Sequence, residues 1–599
     1  MKKFILICQL ISFSTVAQTQ TWIRINQLGY LESSIKVAVL VSKQENLLVK
    51  QFEVCDALTN QVVFKSNKTK SFGKYAAFAS TFRLNFSEFK QKGAYYVRVG
   101  EVKSPSFRIA NDVYGGTADF ILKYMRQQRS NYNPFLKDTC HKTDGFIVYH
   151  PDKQKDSTYL NVSGGWHDAS DYLQYLPTSA NATFQLLFAY QQHPESFGDA
   201  HDAWGNVGKN GIPDVLDEAK WGLDWLCKMN PAKGEYYNQI ADDRDHIGMR
   251  LPNKDTSKYA PDKGLMRPVY FITGKPQGAL KYKNRTVGVA SSAGKFSSAF
   301  ALGSVILSKY YPDFAKSLLQ RAKDAYDFGL QFPGTTQTAP CRSPYFYEED
   351  NYVDDMELAA LMLHQLEPQK GHLGEAVAYA RAEPTTPWMG ADTARHYQWY
   401  PFVNLGHYLG AKQPEGVSKQ FEGFMKLGIE KVWERGKTNP FLNGVPFIWC
   451  SNNLTVGMIT QLHLYRTQTN NNQYAEMEAS LRDWLFGCNP WGTSMICDLP
   501  ENGIAPKDPH SAFTYIAKYK IPGGLIDGPI YGSIWKKLIG ITLYQPDEFA
   551  DFQSDLVIYH DDYGDYSSNE PTMDGTASLS YILSALEQEG KKASKKKSK

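Results

Sequence analysis

The chain predicts two domains, a small β-sandwich followed by a large toroid of helical hairpins, and three observations carry that reading. At 599 residues it is longer than one ordinary core can organise. Its hydrophobic periodicity changes from two to helical near Ala110-Asn111-Asp112. Beyond that break about a dozen helical patterns alternate with long loops rich in Tyr, Trp, Pro and Gly, without the fixed period of a regular solenoid.

In chain order, Met1-Lys2-Lys3 leads into Phe4-Ile5-Leu6-Ile7 and small residues up to Ala17. These are the charged, apolar and cleavage regions of a secretory signal over 1–17, too short in its apolar run to span a bilayer. Export to the periplasm or medium is expected. Residues 22–110 carry short runs of strand type: Val37-Ala38-Val39-Leu40-Val41, Phe52-Glu53-Val54, Val62-Val63-Phe64, Phe82-Arg83-Leu84 and Tyr95-Tyr96-Val97-Arg98-Val99. Residues 112–588 follow as the helical domain, with helices expected at 178–192, 213–229, 296–310, 314–331, 353–366, 416–433, 451–466 and 574–588. No later run is apolar and long enough for a transmembrane segment. The end, 589–599, is lysine-rich and reads as a solvated, disordered tail. Its lysines and the two of the leader outweigh the formal charge of +3, so the body is net acidic and offers no channel for nucleic acid. Seven cysteines follow the leader, an odd number without framework spacing, so stability must come from a large core.

Two acidic constellations carry chemistry. Gly164-Gly165-Trp166-His167-Asp168-Ala169-Ser170-Asp171-Tyr172 sets two aspartates three positions apart, where they share one face of a helical turn or converge in a tight loop. Such a pair caps a short helix, or it holds and deprotonates a water. Far downstream, Tyr559-His560-Asp561-Asp562-Tyr563-Gly564-Asp565-Tyr566-Ser567-Ser568-Asn569-Glu570 leads into the last helix. A carboxyl packed against rings loses solvation and keeps its proton to higher pH, which suits Glu570 to general acid work. An acidic lead into a helix accounts for Asp565 or Asp574 better than for Glu570. Two such clusters in an exported, aromatic-rich helical domain fit glycoside hydrolysis: one carboxylic acid protonates the leaving oxygen, another activates water, and rings stack on sugar faces.

These residues also carry a family resemblance. Ile23-Arg24-Ile25-Asn26-Gln27-Leu28-Gly29-Tyr30, the Gly164–Tyr172 segment, Gly211-Ile212-Pro213-Asp214-Val215-Leu216-Asp217-Glu218-Ala219-Lys220-Trp221-Gly222-Leu223-Asp224-Trp225-Leu226 and Tyr559–Ala577 resemble, in order, motifs of glycoside hydrolase family 9. That is the inverting cellulase family, with its frequent N-terminal immunoglobulin-like domain. The resemblance implies an immunoglobulin-like β-sandwich followed by an all-α (α/α)6 barrel. It makes Asp171 the general base, Asp168 its partner in holding the water, and Glu570 the general acid. Inversion then requires acid and base to stand roughly 6.5 to 9.5 Å apart. Trp166, His510, Asp565 and Tyr566 are carried over as substrate-binding residues, and no cofactor is required.

The departures bear on substrate. Ser170 replaces the usual glycine between the aspartates, Ala512 stands where Pro509-His510-Ser511 would lead to an arginine, Tyr563 occupies a common arginine position, and Thr576 replaces an asparagine. Losing guanidinium donors changes which hydroxyls a cleft can hold. The expected substrate is a β-1,4-glucan, of cellulose type or a branched or soluble relative such as xyloglucan or mixed-linkage glucan, cleaved internally. An exo-acting enzyme on gluco- or glucosamine oligosaccharides is the first rival, told apart by product size. A non-catalytic glycan-binding protein is the second, and retention of Asp168, Asp171 and Glu570 argues against it. Cys140-His141 resembles part of a zinc site found in some relatives, but Arg129-Ser130 stands where a further cysteine would, so zinc is not expected. Structural calcium is left open by the resemblance. Asp242, Asp243 and Asp245 lack a complete loop pattern and read as solvated surface charge. Of Trp204, Trp399, Tyr400, Trp449 and Trp491, two or three are expected to be sugar platforms and the rest core. A monomer with a β-glucan as its only partner is expected.

Overall fold

The computed structural model describes residues 20–391 and 393–597; the expected leader at 1–17 lies outside them. The N-terminal strands are β1 (Thr21–Arg24), β2 (Val37–Ser42), β3 (Phe52–Asp56), β4 (Val62–Ser66), β5 (Thr69–Ser71), β6 (Ser80–Asn85), β7 (Gly93–Val99), β8 (Val102–Lys103) and β9 (Phe107–Ile109). They pair into two sheets, β1-β2-β6-β5 and β4-β3-β7-β8 with β9 on β7. Strand β2 is apolar without alternation from Val37 to Val41. Ala38 and Leu40 face the sandwich core with Ile23, Val54 and Phe107, while Val39 and Val41 belong to the core of the following domain. Both faces are buried, so both need apolar side chains. Polar anchors flank this contact: Asn26 Nδ2 donates to Asp483 Oδ1 at 2.8 Å, Gln27 Nε2 to the Gly492 carbonyl at 2.9 Å, and Arg83 Nη1 to the Pro440 carbonyl at 2.9 Å.

Twelve of the described helices build the second domain: α1 (Leu122–Gln127), α2 (Leu176–Gln192), α3 (Asp214–Met229), α4 (Ala290–Ile306), α5 (Pro312–Gln331), α6 (Val353–Leu366), α7 (His372–Ala382), α8 (Leu405–Gly410), α9 (Glu415–Gly436), α10 (Ser451–Thr469), α11 (Ala475–Leu485) and α12 (Met573–Lys597). The even-numbered helices touch one another in sequence, and α12 returns to α2, closing an inner ring of six. Each odd-numbered helix packs outside that ring. Sequence composition sorts them. Helix α4 buries every residue from Ala290 to Ser304. Helix α5 buries only Ala315, Leu318, Ala322, Ala325, Tyr326 and Gly329, the three-and-four spacing of a single apolar stripe.

Helix α12 corrects one expectation. Residues 589–597 continue the helix instead of forming an unstructured tail. Glu589 is held by Arg466 at 2.9 Å, and Lys591 bridges Glu587 at 2.7 Å while donating to the Glu195 carbonyl at 2.7 Å.

Because every inner helix is entered from an outer one, the connections that lead into the inner helices gather at one end of the ring. Asp168 and Asp171 precede α2, His246 lies between α3 and α4, and Tyr345 and Tyr347 precede α6. His396 precedes α8, Trp449 precedes α10, and Glu570 precedes α12.

Candidate active site

The diglycine sets the aspartate loop. Gly165 has φ of +68°, and a Cβ there would meet Trp225 Cγ at 2.7 Å, so only glycine fits. Trp221 Nε1 donates to the Gly165 carbonyl at 2.8 Å, and Trp166 Nε1 to Glu218 Oε2 at 3.3 Å. The loop motif and the α3 motif are thus two halves of one contact. Trp166 is 0% exposed, packed against Gly222, and does not reach a sugar. Its expected substrate contact is replaced by a buttressing one.

From this base the two aspartates diverge. Asp168 is 6% exposed, and both its oxygens are engaged: Oδ1 accepts from Thr178 Oγ1 at 2.7 Å and Oδ2 from the Tyr347 hydroxyl. Its carbonyl accepts the Met573 amide at 2.9 Å. Asp168 therefore ties together the entrances of α2, α6 and α12. Burial above all, then Asp171 and Asp574, push its carboxyl well above the usual carboxylate range, against the two donors. The Asp171 side chain keeps 13% exposure. Its Oδ1 accepts the Leu173 amide at 3.0 Å, and its Oδ2 stands 3.3 Å from His246 Nε2. Burial works against charge on His246, but the bond to Asp171 and the fields of Asp171, Asp245 and Glu570 raise it to about 9.

His246 is carried by a carboxylate knot. Asp245 accepts the Tyr172 amide at 2.7 Å, the Tyr259 hydroxyl at 2.6 Å and Arg250 Nη2 at 2.8 Å. Asp242 takes Arg244 Nη2 and the Tyr270 hydroxyl, each at 2.6 Å. Asp243 takes the amides of Cys341, Arg342 and Ser343. All three are buried, contrary to their reading as solvated charge: Arg244, Arg250 and Tyr259 nearby in the chain, and Tyr172, Tyr270 and the 341–343 amides from farther away, supply the donors that compensate their burial.

Glu570 enters from the far end of the chain. Its Oε1 accepts the Ser170 amide at 3.0 Å and also the Ser170 hydroxyl, which brings Glu570 against the residue between the aspartates. Burial raises its carboxyl; His510 opposes this, Asp171 adds to it, and the two Ser170 donors oppose it. Asp565, expected to bind substrate, is 0% exposed. It accepts His560 Nδ1 at 2.7 Å, the Ser567 amide at 2.9 Å and Ser568 Oγ at 3.0 Å, so it folds the loop that presents Glu570. Burial pushes this carboxyl up, but His560 and Ser567 hold it below the usual range.

A chain of rings surrounds these groups. Tyr566 stacks on Trp449 with centroids 6.1 Å apart and planes 10° apart, and meets His510 at 6.1 Å. Trp449 contacts His396 at 5.7 Å, His396 contacts Tyr345 at 5.5 Å, and Tyr345 contacts His246 at 5.0 Å. All six keep some exposure. Partly exposed rings of this kind can carry the apolar faces of pyranose rings. Sequence reasoning found His510, Tyr566 and Trp449, and missed His246, Tyr345 and His396, which stand in loops without periodicity. Tyr400 and Trp491 are core, at 1% and 2% exposure. Trp399 packs on the main core, and Trp204 is exposed against Tyr132 and Trp221 outside this arc. Ala512 is buried at 1%, so it supplies neither charge nor a donor to the cleft.

One cluster behind the aspartate loop has metal-ligand chemistry. Donor atoms of Cys140, His141 and His167 lie within 4.8 Å of one another. Ser130, the position at which the resemblance would give a further cysteine, presents a buried hydroxyl with no partner among the described residues. His141 Nδ1 is 2.9 Å from His167 Nε2, and His141 Nε2 is 3.1 Å from Asp255 Oδ2. The donor set offers three ligands of the four expected for structural zinc, and hydrogen bonds already join its two imidazoles.

Comparison with known proteins agrees with this geometry. The family model described as glycosyl hydrolase family 9 matches residues 114–583, and that of the cellulase N-terminal ig-like domain matches residues 18–104. The chain is 24% identical to Endoglucanase C of Cellulomonas fimi over 95% of its own length, but it spans only 52% of that protein. It is 24% identical to the xyloglucan-specific endo-beta-1,4-glucanase BoGH9A of Bacteroides ovatus, covering 94% of this chain and 93% of that one. The crystal structure of a metagenome-derived glycoside hydrolase family 9 endoglucanase superposes with a TM-score of 0.75 at 23% identity, over 95% of this chain and 99% of the other. That likeness establishes the shared two-domain fold.

Proposed function

The chain belongs to glycosyl hydrolase family 9, and on that premise we propose that it hydrolyses internal β-1,4 bonds of a glucan by single displacement. Asp171 takes a proton from the attacking water, Glu570 gives one to the leaving oxygen, and Asp168 locks the loop that carries the base. The observation that carries this reading is the contact of Glu570 with Ser170, which sets a carboxyl raised by burial beside the loop of a second, partly exposed carboxyl group. The ring arc from His510 to His246 supports a polysaccharide substrate. The relative from Bacteroides ovatus bears on which one, and xyloglucan stands beside cellulose and mixed-linkage glucan as a candidate. The proposed chemistry draws on no cofactor, and the donor atoms of Cys140, His141 and His167 lie close enough together to hold a metal ion. The composition of residues 1–17 supports export, and no described helix is long and apolar enough to cross a membrane.

Purified protein on cellulose, xyloglucan, mixed-linkage glucan and chitosan oligosaccharides, with chromatography of products, tests the substrate. A rapid fall in viscosity is expected; release of terminal units alone overturns internal cleavage. Proton NMR of the first product should show inverted configuration. Glu570→Gln should lower turnover of an unactivated glucan by about 10²- to 10⁴-fold while binding persists.

A further inference from the structure

We propose that Ser170 is a positioning residue for the general acid, fixing which oxygen of Glu570 carries the transferable proton and where the charge left behind is received. The inference rests on the reading of Glu570 as the acid. Both donors of Ser170, the amide at 3.0 Å and the hydroxyl, converge on Oε1. Among the described residues none donates to Oε2. An oxygen that already accepts two hydrogen bonds is the poorer seat for a proton, so the proton sits on Oε2 and faces the glycosidic oxygen. As the bond between the anomeric carbon and that oxygen breaks, the Oε2 proton passes to the leaving hydroxyl. The charge that remains on the carboxylate is met at Oε1 by two donors already in place. Water supplies the hydroxyl of the new anomeric centre and yields its proton to Asp171, so the step balances without any other reactant.

The hydroxyl does what a glycine could not. Glycine, the residue given by the resemblance at this position, supplies only the amide. The added hydroxyl stabilises the charged form and works against burial, which raises the Glu570 carboxyl. Ser170 also lies between the two aspartates, so the residue that grips the acid is bonded to the residue that acts as base. No spacer separates them.

The test compares Ser170→Gly and Ser170→Ala with the native enzyme on two substrates, an unactivated cello-oligosaccharide and a 2,4-dinitrophenyl cellobioside whose leaving group needs no proton. Turnover of the first should fall about tenfold with KM little changed, and the alkaline limb of its pH profile should move up by about one unit, because the acid is then harder to ionise. The aryl glycoside should be cleaved at the native rate. Ser170→Thr, which keeps a hydroxyl, should restore the native profile. Equal losses on both substrates, or an unchanged pH profile, overturn the proposal. Glu570→Gln is run beside them. Native turnover by that variant removes the acid and this inference together, whereas an inactive Glu570→Gln with unaltered Ser170 variants removes only the role of Ser170.

Discussion

Asp168 and Asp171 sit on one loop, three residues apart, yet their surroundings separate them completely. Asp168 is enclosed, its oxygens spoken for by Thr178 and Tyr347, and its carboxyl is driven toward the neutral form. Asp171 keeps an edge toward solvent and faces a histidine held cationic. Identical side chains thus meet different surroundings: the first ties helix entrances together, and the second is the one we propose as the base. The difference arises from what the barrel brings to each, since Tyr347 and His246 come from separate connections.

Substitutions can break or sharpen that contrast. The largest effect is expected for Asp171→Ala, about 10³- to 10⁴-fold in kcat, with partial recovery in azide, which can replace the activated water. Asp168→Ala should lose about 10²-fold and recover nothing in azide, because it removes a tether and not the base; azide rescue of this variant would reverse the two assignments. Tyr347→Phe leaves Asp168 one donor short, and a fall of about tenfold in kcat without change in product configuration is expected. The smallest effect concerns His246. Its folded pKa, about 9, lies above its ordinary value of 6.5. The pairing therefore stabilises the fold fully below pH 6.5, and that contribution is lost as pH rises through about 9. His246→Asn should melt slightly below the native protein at pH 6 and level with it near pH 10; a gap that persists at pH 10 would show that packing, not charge, is what was lost.

Much of this was legible in the sequence because its signals are local. The strand runs, the helix periods and the two carboxylate motifs each announce themselves within a dozen residues, and the expected strands and most helices match the observed ones closely. What the sequence hid are the consequences of closing a ring. Trp166 sits in the motif of Asp168 and Asp171 and reads as a sugar contact, yet its partner Glu218 comes from the next hairpin. Asp242, Asp243 and Asp245 look like surface charge until Arg250, Tyr259, Tyr270 and the Cys341 to Ser343 amides arrive to satisfy them. His246, Tyr345 and His396 have no spacing in common, and only the gathering of the inner-helix entrances makes them neighbours. The lysine-rich end was misread for the opposite reason: composition suggested solvent, while Glu587 and Glu589 within the same turns give the helix cause to continue.

Strand β2 has a consequence for the protein as a whole. Since Val39 and Val41 belong to the core of the helical domain and Ala38 and Leu40 to that of the sandwich, the strand is a shared wall. Two rooms with one wall do not come down separately. Calorimetry should show a single cooperative melting transition in place of two, and a chain begun at residue 112 would expose an apolar strip on the flank of the barrel and associate through it. The sandwich closes one side of the barrel, and shortening the chain would cost the barrel that side.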